Sequence, residues 1–112
     1  MNIDHVRKDD IVVVTPKEKR LDAMVAADFK SKMSELIEQG HLNMIINLIE
    51  VDLVDSSGLG VLVSSLKRIG NRGEVKLCNL KDAVRSVFEL TRLDRVFGLY
   101  HSEAEAAASF KK

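Results

Sequence analysis

VDLVDSSGLGVLVSSLKRIG, residues 51–70, carries the reading of the fold. Leu59, Leu62, Val63, Leu66 and Ile69 recur at intervals of three and four, the stripe of an amphipathic helix. Gly70 and Gly73 end that helix, and Val51 to Val54 reads as the end of a strand feeding into it. The joint between them holds Asp55, Ser56, Ser57, Gly58 and Gly60. Asp55 or Ser56 can cap the first helical turn by accepting a bond from an orphan backbone N–H. Gly58 and Gly60 allow another backbone, or a partner, to come close. One cap and one glycine would suffice for a turn, so the remaining hydroxyls ask for a second explanation.

The flanking elements alternate in type. Asn2–Val6 and Ile11–Thr15 are β-rich runs separated by a polar turn, and read as a hairpin. Pro16 lacks a ladder donor and belongs at an edge or a break. Ala26, Phe29, Met33, Leu36 and Ile37 line one face of a helix over Met24–Gln39, closed by Gly40. Met44–Ile49 is almost continuously apolar, the sign of a strand covered on both faces. After the quoted stretch, Val75 and Leu77 alternate with Glu74 and Lys76 in a strand, and Val84, Val87 and Phe88 mark a helix from Asp82 to Thr91. Arg95–Tyr100 reads as a last strand, and Ser102 with Glu105 forms a capping box before an alanine-rich helix. This order predicts one α/β domain over residues 1–112. Its central mixed sheet has about four to five strands, mostly parallel after an N-terminal hairpin, with about four helices.

Composition narrows the function classes. The 112 residues contain 17 Lys plus Arg against 17 Asp plus Glu, giving a formal net charge of zero, so no field of one sign draws in nucleic acid or an anionic membrane. With 4% aromatic residues there are few platforms for stacking bases. No apolar run approaches membrane-spanning length, and the first ten residues carry no hydrophobic leader, so a cytoplasmic protein is expected. The single cysteine, Cys78, lies in a strand-like run and reads as a small buried hydrophobe.

Three enzymatic readings of the joint fail. A nucleophile elbow needs Gly-x-Ser-x-Gly and a histidine base, whereas Ser-Ser-Gly-Leu-Gly lacks the first glycine and His5, His41 and His101 are scattered. A phosphate-binding loop ends in Gly-Lys-Ser/Thr, but Gly60 is followed by Val61 and Leu62. Neither a metal site nor a cofactor is indicated, because one Cys and three isolated His do not make a ligand set. What remains is a serine that is modified rather than catalytic. A phosphate at a helix start adds about −1.5 to −2 charge where the backbone N–H groups and helix dipole tolerate it.

The segment NLIEVDLVDSSGLGVLVSSLKRIGNRGEVKLCNL resembles the core of the STAS domain of anti-sigma factor antagonists. KRLDA at Lys19–Ala23 resembles the family's Gly-x-Leu-Asp element, and ELTRLDRVF resembles its Glu-Leu-Thr-Gly-Leu-Asp segment. The resemblance implies a cytoplasmic, non-enzymatic binding module. Such a module sequesters an anti-sigma factor that is often also a serine kinase, frees a sigma factor, and so regulates transcription. Phosphorylation breaks the complex and a serine phosphatase restores it. By position, Ser56 would be the phosphoacceptor with Ser57 as fallback. Asp22, Asp55, Ser56, Ser57 and Gly58 would form the partner surface, and Asn47 the polar place in the central strand. The alternative within the same family is a subunit of a transport or stress-signalling complex. A monomer or weak homodimer is expected. Lys19 and Arg92 stand where the family has glycines, in loops expected near the interaction surface.

Overall fold

A computed structural model describes residues 1–110 of the chain. Strand β1 (Ile3–Lys8) turns through Asp9 and Asp10 into β2 (Ile11–Pro16), the predicted hairpin, with Pro16 as the last residue of its strand. Helix α1 (Ala26–Glu38) follows, and buries Phe29, Met33, Leu36 and Ile37. Its end is a Schellman motif: Gly40 at φ +91° donates to the Ile37 carbonyl and His41 to the Leu36 carbonyl. Strand β4 (Asn43–Asn47), helix α2 (Ser56–Ile69), strand β6 (Glu74–Cys78), helix α3 (Asp82–Leu90), strand β7 (Gly98–Tyr100) and helix α4 (Glu103–Ser109) complete the alternation. Ser102 caps α4 by accepting the Glu105 N–H at 3.1 Å, one half of the expected box.

The sheet has five strands in the order β1-β2-β4-β6-β7; β1–β2 is its one antiparallel pair and the others are parallel. Alternation along each strand sorts side chains onto two faces. Val12, Val14, Met44, Ile46, Val75 and Leu77 meet the helices α1, α2 and α3 in the main core. Val13, Ile45 and Cys78 meet Ala106 of α4 in a smaller cluster on the other face.

Three expectations need correction. The strand end before the quoted helix does not belong to the central sheet. β4 stops at Asn47, and Leu53–Val54 forms β5, which pairs in parallel with β3 (Arg20–Leu21) as a separate two-stranded ribbon. Pairing of two-residue strands leaves no periodicity in sequence, so neither was separable from its loop. The buried side of α2 is also rotated from the predicted stripe: Gly58, Val61, Leu62, Ser65 and Ile69 are buried, while Leu59, Val63 and Leu66 are half-covered. Contact with α1 as well as the sheet turns the helix this way. Finally, the last strand is shorter than Arg95–Tyr100, because Leu93–Arg95 forms a 3-10 turn and β7 begins only at Gly98. Lys76 alternates as expected, onto the α4 face, where it is only 6% exposed.

Candidate functional site

The joint stands at the carboxyl end of the sheet, where loops after parallel strands gather. Asp55, in an extended conformation, is the N-cap of α2. Its Oδ1 accepts the Ser57 N–H at 2.8 Å and the Gly58 N–H at 3.1 Å. Ser56 is thereby the first helical residue, and it is exposed; Ser57 is half-covered. The two glycines divide in role. Gly58 is buried, and a β-carbon there would collide with the Leu21 carbonyl oxygen and carbon, so its smallness brings the helix start against β3. Gly60 meets nothing within 4 Å and is exposed. One turn apart on the same side, Ser56, Gly60 and Ser64 present a low, uncovered strip.

The β3–β5 ribbon brings Asp22 to the joint. Leu21 pairs with Val54, and the Asp55 N–H donates to the Leu21 carbonyl at 3.1 Å. Asp22 is not a helix cap: its Oδ1 accepts the Met24 N–H at 3.0 Å in a turn ahead of α1, whose N-cap is Val25. Beside Asp22, a hollow of about 440 Å³ is lined by Lys17, Lys19, Arg20, Met24 and Val25 among others. Met24 is 89% exposed, and Ile49 and Leu53 are also exposed, apolar surface that the helical stripes did not reveal. Lys19 serves the site through its backbone, its carbonyl accepting the Asp52 and Leu53 N–H groups at 2.7 and 3.1 Å. Any residue can do that, which explains why a lysine is accommodated. Asp52 in turn pairs with Lys81 at the start of α3, and that hydrogen bond holds its carboxyl below the ordinary value.

Arg92 is not near this surface. The helix α3 begins beside Asp52 and runs back nine residues, roughly 13 Å, to the end of the sheet where β7 starts. Arg92 sits there with φ +63° and ψ 15°, the left-handed conformation that glycine adopts without cost. Asn47 is a structural stitch at the end of β4. Its Oδ1 accepts from the Ile49 N–H and from Asn79 Nδ2, both at 3.1 Å, and its Nδ2 donates to Glu103.

Chemically, the joint offers a reachable hydroxyl on a firmly capped helix. Asp55 already engages the second and third N–H groups of α2. An anion on Ser56 would therefore find little of the helix N-terminus free, and a carboxylate next to it. Among the described residues no three His, Cys, Asp or Glu side chains cluster as metal ligands. Cys78 is fully buried, and burial pushes its thiol up to about 11, with Glu103 adding to the effect. The thiol is held protonated and unreactive. Among the same residues no helix is long and apolar enough to cross a membrane.

The STAS domain family model matches residues 2–106. A Thermotoga maritima protein named as an anti-sigma factor antagonist is 32% identical over 106 residues, covering 93% of each chain. A Bordetella bronchiseptica protein of the same designation is 31% identical over 87 residues, 77% of this chain and 75% of its own. A crystal structure of a Thermotoga maritima anti-sigma factor antagonist superposes with a TM-score of 0.92 at 30% identity, covering 98% of this chain and 95% of that one.

Proposed function

The chain belongs to the STAS domain family, and on that premise we propose that it is a cytoplasmic anti-sigma factor antagonist switched by phosphorylation of Ser56. Its whole length acts as one such domain, without enzymatic activity of its own. Unphosphorylated, it binds an anti-sigma factor that is also its serine kinase, and a sigma factor is released. A serine phosphatase resets it. The relatives just described carry the antagonist name, which favours this role over a place in a transport or stress-signalling complex.

One observation carries the switch: Ser56 is exposed on the first turn of a helix whose start is held by a different residue, Asp55. Modification can therefore change the surface without loosening the fold. The phosphate would join Asp55 and Asp22 in a cluster of negative charge facing outward. A partner surface shaped for a neutral hydroxyl would then cover a dianion with no counterion, at a cost of several kcal/mol. Met24, Leu53 and Ile49 supply apolar contact around that cluster, and the Ser56–Gly60–Ser64 strip lets the partner approach closely.

The test is direct. Mass spectrometry of the protein from its own cells should place phosphate on Ser56 rather than Ser57. Ser56→Asp should melt with the wild type yet bind the anti-sigma factor at least about tenfold more weakly, a loss of about 1.4 kcal/mol or more. Ser56→Ala should bind and resist the kinase. Undiminished binding by the phosphorylated protein would sink the proposal.

A further inference from the structure

The outer strand β1 is the least covered part of the sheet: Ile3 is half-buried and Asp4 to Lys8 are all exposed. Its turn is two residues long, with Lys8 opposite Ile11. In such a hairpin the flanking pair is hydrogen-bonded, and bonded pairs then alternate along the ladder. The backbone groups of Asp4, Val6 and Lys8 therefore point to β2, and those of Ile3, His5 and Arg7 point outward. An edge with open donors and acceptors is a template for another strand. Side chains sort differently: Val6 stands opposite Val13, so Asp4, Val6 and Lys8 lie on the α4 face of the sheet.

We infer that this edge pairs antiparallel with the same edge of a second copy about a dyad at Val6, fusing two five-stranded sheets into one of ten. Two constraints select the register. The outward groups must meet one another, which sets the dyad on a residue rather than between two, and overlap of most of the strand leaves His5, Val6 and Arg7 as its candidates. A dyad at His5 sets His5 against itself and Asp4 against Val6. A dyad at Arg7 sets Arg7 against itself and Lys8 against Val6. Only the dyad at Val6 places Asp4 opposite Lys8 of the second copy, twice, on either side of a Val6–Val6 contact. These are the non-hydrogen-bonded positions, where side chains approach most closely.

Charges along an edge strand ordinarily prevent pairing; here their spacing makes the edge complementary to itself. Lys8, 63% exposed, pairs with Glu103 at 3.1 Å, and its three donors leave capacity for a second carboxylate. Val6 is 54% exposed beside a hollow of about 290 Å³ lined by Ile11, Val13, Ile45, Ala104 and Ala107. Pairing would join the two hollows through the two valines. On the opposite face His5 would stand against Arg7 of the second copy, a pair that adds no attraction, so a modest affinity is expected.

Sedimentation velocity from micromolar concentrations up to about 1 mM, the range of weak complexes, should show a reversible dimer. Asp4→Lys and Lys8→Glu should each weaken it about tenfold or more by creating two like-charge pairs. An equimolar mixture of the two variants should associate again, because both cross-pairs are then of opposite sign. Val6→Cys should form a symmetric disulfide on mild oxidation, and circular dichroism should show all three variants folded. A wild type that stays monomeric throughout, or a dimer that both charge variants leave intact, overturns the proposal. So does a mixture that associates no better than its components.

Discussion

The two faces of the central sheet are covered in different ways. On one, three helices bury a cluster that runs from Val12 and Phe29 to Phe88 and Phe97, with an edge-on contact of the last two rings at 5.9 Å. On the other, the seven residues of α4 rest on Ile45 and Cys78. There Lys76 lays its stem across the sheet, donates to Ser109 Oγ at 2.7 Å, and sets its ammonium 4.4 Å from the centre of the Phe110 ring. A thick cover excludes water and accepts only apolar shapes. A thin cover lets an amphipathic side chain be buried while its charge keeps partners. The joint belongs to the thick face, where a helix packed on the sheet presents Ser56 to solvent.

The largest effect should come from a cavity under the thick cover. Leu62 is fully buried, so Leu62→Ala should cost about 2–5 kcal/mol in urea unfolding. A loss as small as that of a surface residue would break the contrast between the faces.

The two glycines of α2 sharpen it within a single helix. Gly58→Ala forces a methyl into the Leu21 backbone and should cost about 1–3 kcal/mol. Gly60→Ala meets nothing and should instead stabilise by about 0.5–1 kcal/mol through helix propensity. If Gly60 faces the partner, that same variant should bind the anti-sigma factor more weakly. Equal destabilisation by both would mean the helix is seated differently.

On the thin face, Lys76→Met keeps the apolar stem but loses the cation–ring contact and a charged hydrogen bond, a loss of about 1–2 kcal/mol. Denaturant midpoints compared with Leu62→Ala would rank the two covers; a Lys76→Met protein more stable than wild type would show that the buried ammonium is a liability.

The smallest effect concerns the Asp52–Lys81 pair at the rim. Lys81 holds the Asp52 carboxyl below its ordinary value of 3.8, so the folded chain gives up this charge at lower pH than the unfolded one. The stabilisation is fully present above that ordinary value and is lost as pH falls through the folded one. Both side chains are about half exposed, so the effect is small and screened by salt. Melting curves of Lys81→Gln and wild type should differ slightly at neutral pH in low salt and converge on acidification. A difference that grows as pH falls would contradict the pairing.

Local signals in the chain specify the order of the main elements, the hairpin, and the helix of the joint with Asp55 or Ser56 as its cap. Each depends on neighbours within a turn or a strand: Gly40 after a helical stripe, Asp55 two and three residues before the N–H groups it accepts, and an unbroken apolar run at Met44–Ile46. They also point to a modified serine at the joint, because hydroxyls next to a cap are a local pattern; the choice of Ser56 over Ser57 comes only from the family resemblance. Tertiary structure alone decided what depends on distant residues. The β3–β5 ribbon exists because Leu21 and Val54 meet across more than thirty positions, and that meeting carries Asp22 to Asp55. The same approach separates Gly58, closed in by Leu21, from Gly60, left open, although both are glycines two residues apart. Arg92 falls at the far end because a helix length of backbone carries it there, and Lys76 is buried because α4 returns over its strand. Periodicity reports which side of an element faces inward on average; what stands against that side is fixed only when elements remote in the chain pack together.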